Sequence, residues 1–311
     1  MSEPEDNFDE HSKEEDAEPV NDITLVDPET IELDLNHGRI SQLQNFEPLR
    51  CIERLYLRWN LISKIENLST LVTLIELELY DNQITKIENL DALVNLEILD
   101  LSFNRIKVIE GLECLKSLQK LFLSSNKISK IENIDHLQNL NLLELGDNKI
   151  REIKNLNGLT SLRYLYLGKN RIAKIENLDT LTSLSCLSLQ SNRITKMENL
   201  NALKNLDELY LSENGFTCIE NLEDNIILET LDVAQNQIKT IQNVGHLTEL
   251  SEFWLNDNKV EDWNCIEGLE VNKKLSTIYL ERNPVADDPA YRRKLKMMIP
   301  SLSQIDATLC C

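Results

Sequence analysis

The sequence predicts an α/β solenoid, a stack of similar coils that share one parallel sheet. The stretch LYDNQITKIENL, which begins at Leu79, returns as LSSNKISKIENI, LGKNRIAKIENL and LQSNRITKMENL. Its asparagine recurs every 22 residues. Each copy joins an alternating Leu-x-Leu, typical of a short strand, to apolar residues three apart, typical of a helical turn. The recurring asparagines are Asn60, Asn82, Asn104, Asn126, Asn148, Asn170, Asn192, Asn214, Asn236 and Asn258.

The same spacing sets the number of coils and the place of each side chain. A first unit lacks the asparagine and has Gly38 there, and a last unit reaches Asn283 after three extra residues, which makes twelve units. Strand residues such as Leu77 and Leu79 are predicted to face the core. Short helical or 3-10 turns are predicted on the convex side. We expect the asparagine amides to pair with backbone groups where each strand turns away.

Three regions are predicted along the chain. Residues 1–22 form an acidic tail that we expect to be disordered, and residues 23–283 carry the twelve repeats with an N-terminal cover. Residues 284–311 form a C-terminal cap. In the cap, Asp287 or Asp288 is predicted to cap a helix that carries Tyr291 and Leu295 and ends before Pro300.

Net charge argues against two classes of partner. The chain has 32 Lys and Arg against 53 Asp and Glu, a formal charge of −21. We therefore expect neither nucleic acid nor an anionic membrane as a partner. The opening residues do not read as a signal peptide, and no run of 18 apolar residues occurs. An intracellular protein is expected.

The cysteines do not predict a disulfide framework. The seven are irregularly spaced, so we expect reduced thiols. The final Cys310 and Cys311 lack the polybasic stretch or prenylation box that accompanies lipid attachment. Their role, and that of the acidic tail, cannot be read from the sequence.

The middle residue of each Leu-x-Leu is predicted to face solvent on the concave sheet. These twelve residues, called here the concave column, are Asp34, Tyr56, Glu78, Asp100, Phe122, Glu144, Tyr166, Ser188, Tyr210, Asp232, Trp254 and Tyr279. Six are aromatic and five are acidic. Strand propensity accounts for some of the rings, but aromatic side chains among charges are also typical anchors of protein interfaces. From Asp100 to Tyr279 the column spans about 38 Å, which suits a folded protein. Arg58, Trp59, Phe103, Tyr164 and Glu252 are predicted to flank it.

Catalytic patterns are missing from the sequence. His37 is predicted to stand alone on the first strand, and His136 and His246 fall in the convex half of their units. Paired carboxylates such as Glu76 with Glu78 are interpreted as an acidic face. No phosphate loop, dinucleotide pattern or metal-ligand cluster is present, so we expect a protein that is not an enzyme and needs no cofactor or metal.

The period and core pattern resemble the leucine-rich repeats, from about residue 23 to residue 306, and imply a horseshoe with the sheet on its concave side. KIENL, the uninterrupted spacing and the ending NPVADDPAYRRKLKMMIPSLSQIDAT are similar to one branch of that superfamily, the regulatory subunit 7 family of protein phosphatase 1. This resemblance implies binding of the phosphatase catalytic subunit by the concave face. The implied contact residues are Asp100, Phe122, Glu144, Tyr166, Asp232, Glu252, Trp254 and Tyr279. Two departures are Tyr166, where the family commonly has Phe, and the LCC ending.

The resemblance implies a non-catalytic phosphatase regulator in nucleus and cytoplasm. It is expected to be a monomer on its own and to leave room for a third regulatory protein. The short docking segment that many phosphatase regulators carry is missing, because KVEDW at Lys259 has one residue too many. The effect on the phosphatase, whether inhibition, maturation or redirection, stays open. The alternative is an intracellular repeat scaffold for another protein, of the spliceosomal or tubulin-associated type.

Overall fold

The computed structural model describes residues 27–310. The predicted acidic tail and the first residues of the predicted N-terminal cover lie outside this range. One 14-stranded sheet runs through the molecule with its strands in sequence order. The strands are β1 (Glu32–Asp34), β2 (Arg54–Tyr56), β3 (Glu76–Glu78), β4 (Ile98–Asp100), β5 (Lys120–Phe122), β6 (Leu142–Glu144), β7 (Tyr164–Tyr166), β8 (Cys186–Ser188), β9 (Glu208–Tyr210), β10 (Thr230–Asp232), β11 (Glu252–Trp254), β12 (Thr277–Tyr279), β13 (Gln304–Ile305) and β14 (Thr308–Leu309).

The predicted parallel solenoid is confirmed. Strands β1 to β12 pair in parallel with equivalent residues opposite each other, as Leu77 lies opposite Leu55 and Leu99. One apolar core runs without interruption from Ile40 to Ile305. Leu77 and Leu79 are fully buried, as predicted. A single coil could not bury these side chains, so each coil depends on its neighbours for its core.

The recurring asparagine joins neighbouring coils. Asn104 Nδ2 donates to the carbonyls of Leu79, Leu101 and Ser102 at 2.9, 3.1 and 3.1 Å. Its Oδ1 accepts the N–H of Ile84 at 2.9 Å. The amide therefore satisfies backbone groups of two consecutive coils where the strand ends, as expected from the sequence.

A second asparagine ladder explains the Asn of KIENL. Asn89 has a φ of 61° and donates from Nδ2 to the Ile65 carbonyl of the preceding coil at 2.7 Å. Asparagine tolerates the left-handed region better than most residues, so it can make the turn and the bond together. Gly111 replaces it in one coil with a φ of 69°. A Cβ there would lie 2.5 Å from the Ile87 carbonyl oxygen.

The short turns predicted on the convex side are confirmed, and they have 3-10 spacing. Most coils have two separate turns, such as Leu93 N–H to Leu90 O at 2.9 Å and Leu96 N–H to Leu93 O at 3.0 Å. These bonds have 3-10 spacing, but they do not continue into a helix, because the next residues must return to the strand within the same coil. Among the described coils, helix forms where the three extra residues lie, as α1 (Asn264–Glu267) and a 3-10 helix (Gly268–Val271).

The C-terminal segment packs a helix against the last coil. A 3-10 helix (Pro284–Asp287) precedes α2 (Tyr291–Met298), which ends two residues before Pro300. The predicted cap by Asp287 or Asp288 is wrong, because the N-cap of α2 is Ala290 and has no side-chain cap bond. Asp288 bonds to the residues just before and at the start of the helix: its Oδ1 accepts the Ala290 N–H and its carbonyl the Tyr291 N–H, both at 2.8 Å. Tyr291 and Leu295 are buried.

The hairpin of β13 and β14 was not predicted. Strand β13 pairs in parallel with β12, and β14 pairs antiparallel with β13. Asp306 Oδ1 accepts the N–H groups of Leu280 and Glu281, both at 2.9 Å, and so replaces the strand carbonyl that accepts the equivalent N–H in earlier coils, as Tyr279 O does for Leu255. The hairpin therefore covers the open edge of the twelfth strand.

Within residues 27–310, no helix is both long enough and apolar enough to cross a bilayer. All six cysteines in this range are free thiols.

Candidate protein-binding face

The concave column lies where the spacing places it. Its twelve members are the last residues of β1 to β12. The in-register pairing sets Asp100, Phe122, Glu144 and Tyr166 side by side on four consecutive strands. Asp232, Trp254 and Tyr279 are neighbours on β10 to β12. Glu252 is the first residue of β11 and shares the face of Trp254, because side chains two apart on a strand point the same way. The structure thus brings all eight implied contact residues onto one face.

The prediction that the column faces solvent is wrong for three members. Glu78, Ser188 and Asp232 are only 6%, 4% and 5% exposed. Asp34 is exposed, and the other eight are half-buried. Strands about 4.8 Å apart press equivalent side chains together, so Ser188 and Asp232 are covered by the aromatic rings on either side of them. Glu78 is instead held in an ion pair with Arg58. The column still lies outside the leucine core.

The first half of the site gathers carboxylates that are poorly neutralised. Burial raises the pKa of Asp100, although a bond of 2.8 Å from the Ser102 N–H to its Oδ1 opposes the rise. Burial also raises the pKa of Glu144, and the charge of Asp100 adds to the rise. A cationic side chain from a partner would favour the charged forms of both acids.

The second half of the site forms an aromatic hollow. The rings of Trp254 and Tyr279 have centroids 5.5 Å apart and tilt by 54°. They line a concavity of about 340 Å³ together with Asp232, whose pKa is raised by burial. The Tyr279 hydroxyl accepts a hydrogen bond from Gln304 Nε2 at 2.8 Å. Because Gln304 belongs to β13, the terminal hairpin holds one wall of the hollow.

Trp254 also has an unsatisfied polar atom. Its Nε1–H is out of contact with solvent and has no acceptor among the described residues. A buried donor without a partner costs about 1–3 kcal/mol. The position of this indole is therefore set by the packing of its ring on Tyr279.

The two halves are separated by Ser188 and Tyr210. The Tyr210 hydroxyl donates to Glu208 Oε2 at 3.1 Å. Burial raises the pKa of Tyr210 and of Tyr166. Both phenols are therefore neutral hydrogen-bonding groups at physiological pH.

A second row on the same face was mostly missed at the sequence level. It consists of the first residue of each strand; Tyr164 and Glu252 were predicted to flank the column, and Glu76 was noted only as half of a carboxylate pair. The same period-2 alternation would have found the rest. The row runs through Glu32, Arg54, Glu76, Ile98, Lys120, Leu142, Tyr164, Cys186, Glu208, Thr230, Glu252 and Thr277.

The carboxylate pair Glu76 and Glu78 belongs to a salt-bridged cluster. Arg58 forms an ion pair with Glu78. Burial raises the pKa of Glu76, and the neighbouring charge of Glu78 raises it further. The interpretation as an acidic face therefore holds, with Arg58 as its counter-ion.

His37 does not stand alone, and it lies three residues beyond β1 instead of on it. Its ring stacks on Trp59 with centroids 4.4 Å apart and planes 8° apart. The ring centroids of Trp59 and Tyr80 are 5.5 Å apart, and those of Tyr80 and Phe103 are 4.9 Å apart. His37, Trp59 and Phe103 have positive φ angles, which turns them from the sheet onto the solenoid edge. Trp59 and Phe103 therefore flank the column at a distance.

The other described histidines have structural contacts. Nε2 of His136 lies 3.0 Å from the Leu112 carbonyl, and Nε2 of His246 lies 2.8 Å from the Leu222 carbonyl. Each contact joins two coils on the convex side. Among residues 27–310, no group of three or more His, Cys, Asp or Glu side chains is placed to hold a metal ion.

Models of known families match the repeats. The model described as "Leucine Rich repeats (2 copies)" matches residues 72–107 and 94–136, and the one described as "Leucine-rich repeat" matches residues 125–228. Together they cover residues 72–228. The chain is a leucine-rich-repeat protein. An internalin from Listeria monocytogenes has the same fold, with a TM-score of 0.73 and 27% identity over 90% of this chain and 87% of its own.

Curated relatives confirm the resemblance to the phosphatase-regulator branch over a short segment. "Protein phosphatase 1 regulatory subunit 7" of Homo sapiens is 54% identical over 49 residues, which is 16% of this chain and 14% of the relative. The protein of that name from Xenopus tropicalis is 56% identical over 49 residues, with the same shares. The chain thus aligns with about one seventh of these relatives' length.

Proposed function

We propose that this protein is a non-catalytic regulatory subunit that binds the catalytic subunit of protein phosphatase 1 through its concave face. The observation that carries the proposal is the in-register run of acids and rings from Asp100 to Tyr279. Its two clusters lie on one rigid sheet, and their geometry agrees with the contact residues that the family resemblance implies.

The binding mode follows from rigidity. Coils joined by two asparagine ladders present the column without a large ordering cost, which favours affinity. The rings of Phe122 and Trp254 would anchor the partner, and the desolvated acids Asp100 and Glu144 would accept its basic side chains. Control of the phosphatase would be steric or allosteric, because the subunit itself would do no chemistry. We also propose that it acts in the nucleus and the cytoplasm and is a monomer when free.

Calorimetry with the purified phosphatase catalytic subunit tests the concave-face contact. Trp254→Ala and Phe122→Ala should each weaken binding by at least about 2 kcal/mol, because large aromatic side chains are the usual anchors of protein interfaces. Tyr56→Ala is the matched control, since Tyr56 occupies the same column outside the implied contact set, and it should bind normally. Unchanged affinity in both test variants, with circular dichroism showing an intact fold, would reject the contact.

A second experiment separates the two candidate functions. The intact protein is used to capture partners from cell extract, which are identified by mass spectrometry. A phosphatase catalytic subunit should dominate, and the Trp254→Ala variant should recover much less of it. Recovery of spliceosomal or tubulin-associated proteins in its place would favour the alternative scaffold.

A further inference from the structure

A ridge of basic side chains lies on the solenoid edge that follows the strands. In five consecutive coils the residue after the recurring asparagine is a cation, and a second cation follows two or three residues later. All ten are exposed. This basic ridge consists of Arg105, Lys107, Lys127, Lys130, Lys149, Arg151, Arg171, Lys174, Arg193 and Lys196.

Backbone bonds fix the spacing of the ridge. The cations that directly follow the asparagine form the first row of the ridge. The backbone N–H of each donates to an isoleucine carbonyl of the preceding coil, as Lys127 does to Ile106 and Lys149 does to Ile128, both at 2.8 Å. Adjacent cations of the row are therefore about 4.8 Å apart at the backbone, and the ridge is about 19 Å long.

Nine of these ten cations form no ion pair within 4 Å among residues 27–310. Only Lys174 forms an ion pair within 4 Å, with Glu176 at 3.6 Å. Glu132 and Glu198 occupy the equivalent positions beside Lys130 and Lys196, but no ion pair within 4 Å forms there in the described structure. Glu152, the carboxylate nearest to Arg151 in sequence, pairs with Lys154 at 2.8 Å. Like charges this close repel each other.

The repeat itself does not require the positive charge. The residue after the asparagine is Leu61 and Gln83 in the two coils before the ridge and Gly215 and Gln237 in the two after it, while Lys259 holds the position in the next coil. A concentrated, unpaired basic row within a chain of net charge −21 therefore calls for an anionic occupant. The opening residues provide one, since residues 1–22 hold ten Asp and Glu against one Lys.

We propose that the basic ridge binds the acidic segment 1–22 of the same chain. The segment is long enough, since 26 residues before Asp27 reach up to about 86 Å at about 3.3 Å each. The farthest ridge coil is seven strands from β1, or about 34 Å. Tethering gives the segment a high effective concentration over any separate acidic protein. The ridge lies on the edge, so the segment would leave the concave face open. This inference is independent of the proposed phosphatase contact.

Zero-length crosslinking of the full chain tests the proposal. A carbodiimide joins a carboxylate to a lysine amine only when the two are in contact, and peptide mass spectrometry locates the links. Carboxylates of residues 1–22 should link mainly to Lys127, Lys149 and Lys130. The yield should fall at least tenfold when sodium chloride is raised to about 0.5 M, because exposed charge pairs are screened.

A charge-reversed pair provides the matched comparison. Lys127→Glu with Lys149→Glu should reduce links from segment 1–22 to the remaining ridge lysines at least tenfold. Lys204→Glu with Lys274→Glu, at paired lysines away from the ridge positions of the repeat, should leave them unchanged. Circular dichroism checks that each variant is folded.

Two results would overturn the proposal. One is an even spread of links from segment 1–22 over all exposed lysines in the native chain. The other is a lack of such links together with tight binding of a 20-nucleotide single-stranded DNA probe that the Lys127→Glu, Lys149→Glu variant loses, which would assign the ridge to nucleic acid.

Discussion

Trp254 combines two properties that a point change can separate. Its ring packs on Tyr279, while its Nε1–H lacks an acceptor in the described structure. Trp254→Phe keeps an aromatic ring and removes the unpaired donor. We expect the free energy of unfolding to stay equal or to rise by up to about 1–2 kcal/mol. Urea denaturation measures this, and a loss above about 2 kcal/mol would show that the indole nitrogen is satisfied in solution.

Glu144 gives a pH-dependent prediction. Burial raises its pKa above the ordinary 4.5, so the folded protein holds this proton more tightly than the unfolded chain. Its contribution to stability therefore declines as pH rises through the window above 4.5 and stays low at neutral pH. Glu144→Gln should be more stable than the wild type at about pH 7.5, and the gain should vanish at about pH 4.

Glu223→Gln is the control for this experiment, because Glu223 is exposed and substitutions at exposed positions usually change stability little. Urea midpoints at both pH values give the comparison. An equal gain in stability at both pH values would mean that Glu144→Gln stabilises the fold for a reason other than the loss of a buried charge. If the phosphatase contact is correct, Glu144→Gln should also weaken phosphatase binding, because it removes a charge that would accept a basic side chain of the partner. The same charge lowers the stability of the free protein.

The positions of the candidate contact residues on the sheet were predictable because each depends on local alternation. Asp100 and Trp254 both lie between two apolar core residues, and that alternation sets the face of every strand. The burial of Ser188 and Asp232 was not predictable, because it depends on the size of neighbours 22 residues away. The stacking of His37 on Trp59 was missed for a related reason, since it requires positive φ angles that a strand pattern does not reveal.

At the scale of the coil, the asparagine ladders do more than the leucines to fix register. Leucine burial is nondirectional, whereas Asn104 makes bonds of defined geometry to two coils. The sequence predicted this bonding role in general terms. It did not predict the second ladder, because the left-handed conformation of Asn89 is part of a turn that looked helical in its apolar spacing.

Asn104→Ala should therefore destabilise the fold strongly. It removes one acceptor and three donated bonds in a buried environment, leaving backbone groups unpaired. We expect a loss of about 2–4 kcal/mol in urea denaturation, since each orphaned buried group costs about 1–3 kcal/mol and some relax. Asn95→Ala is the control: Asn95 makes one exposed bond to the Val72 carbonyl at 2.9 Å, which water can replace. A similar loss in both variants would contradict the role of the ladder.

For the whole molecule, the sequence predicted a stack whose ends need cover, and the form of the cover was partly unpredictable. Helix α2 follows from the apolar spacing of Tyr291 and Leu295. The β13–β14 hairpin does not, because each strand has only two residues; β13 is stabilised by pairing with β12, and β14 by pairing with β13. In such a stack, the stability of each coil depends mainly on its contacts with the two adjacent coils.

Leu295→Ala measures how far that transmission reaches. Leu295 is a fully buried residue of the cap helix α2, so its truncation should lower the local free energy of unfolding by about 2–5 kcal/mol. Hydrogen exchange followed by mass spectrometry should show faster exchange in β11 to β13 and little change in β2 to β4, because the lost contacts lie at one end of the stack. Met297→Ala is the matched control on the same helix: Met297 is 72% exposed and should leave both regions unchanged. If hydrogen exchange became equally faster in all strands after Leu295→Ala, the coils would unfold as one unit. The cap would then stabilise the whole concave face, and not only the part of the aromatic hollow at Tyr279.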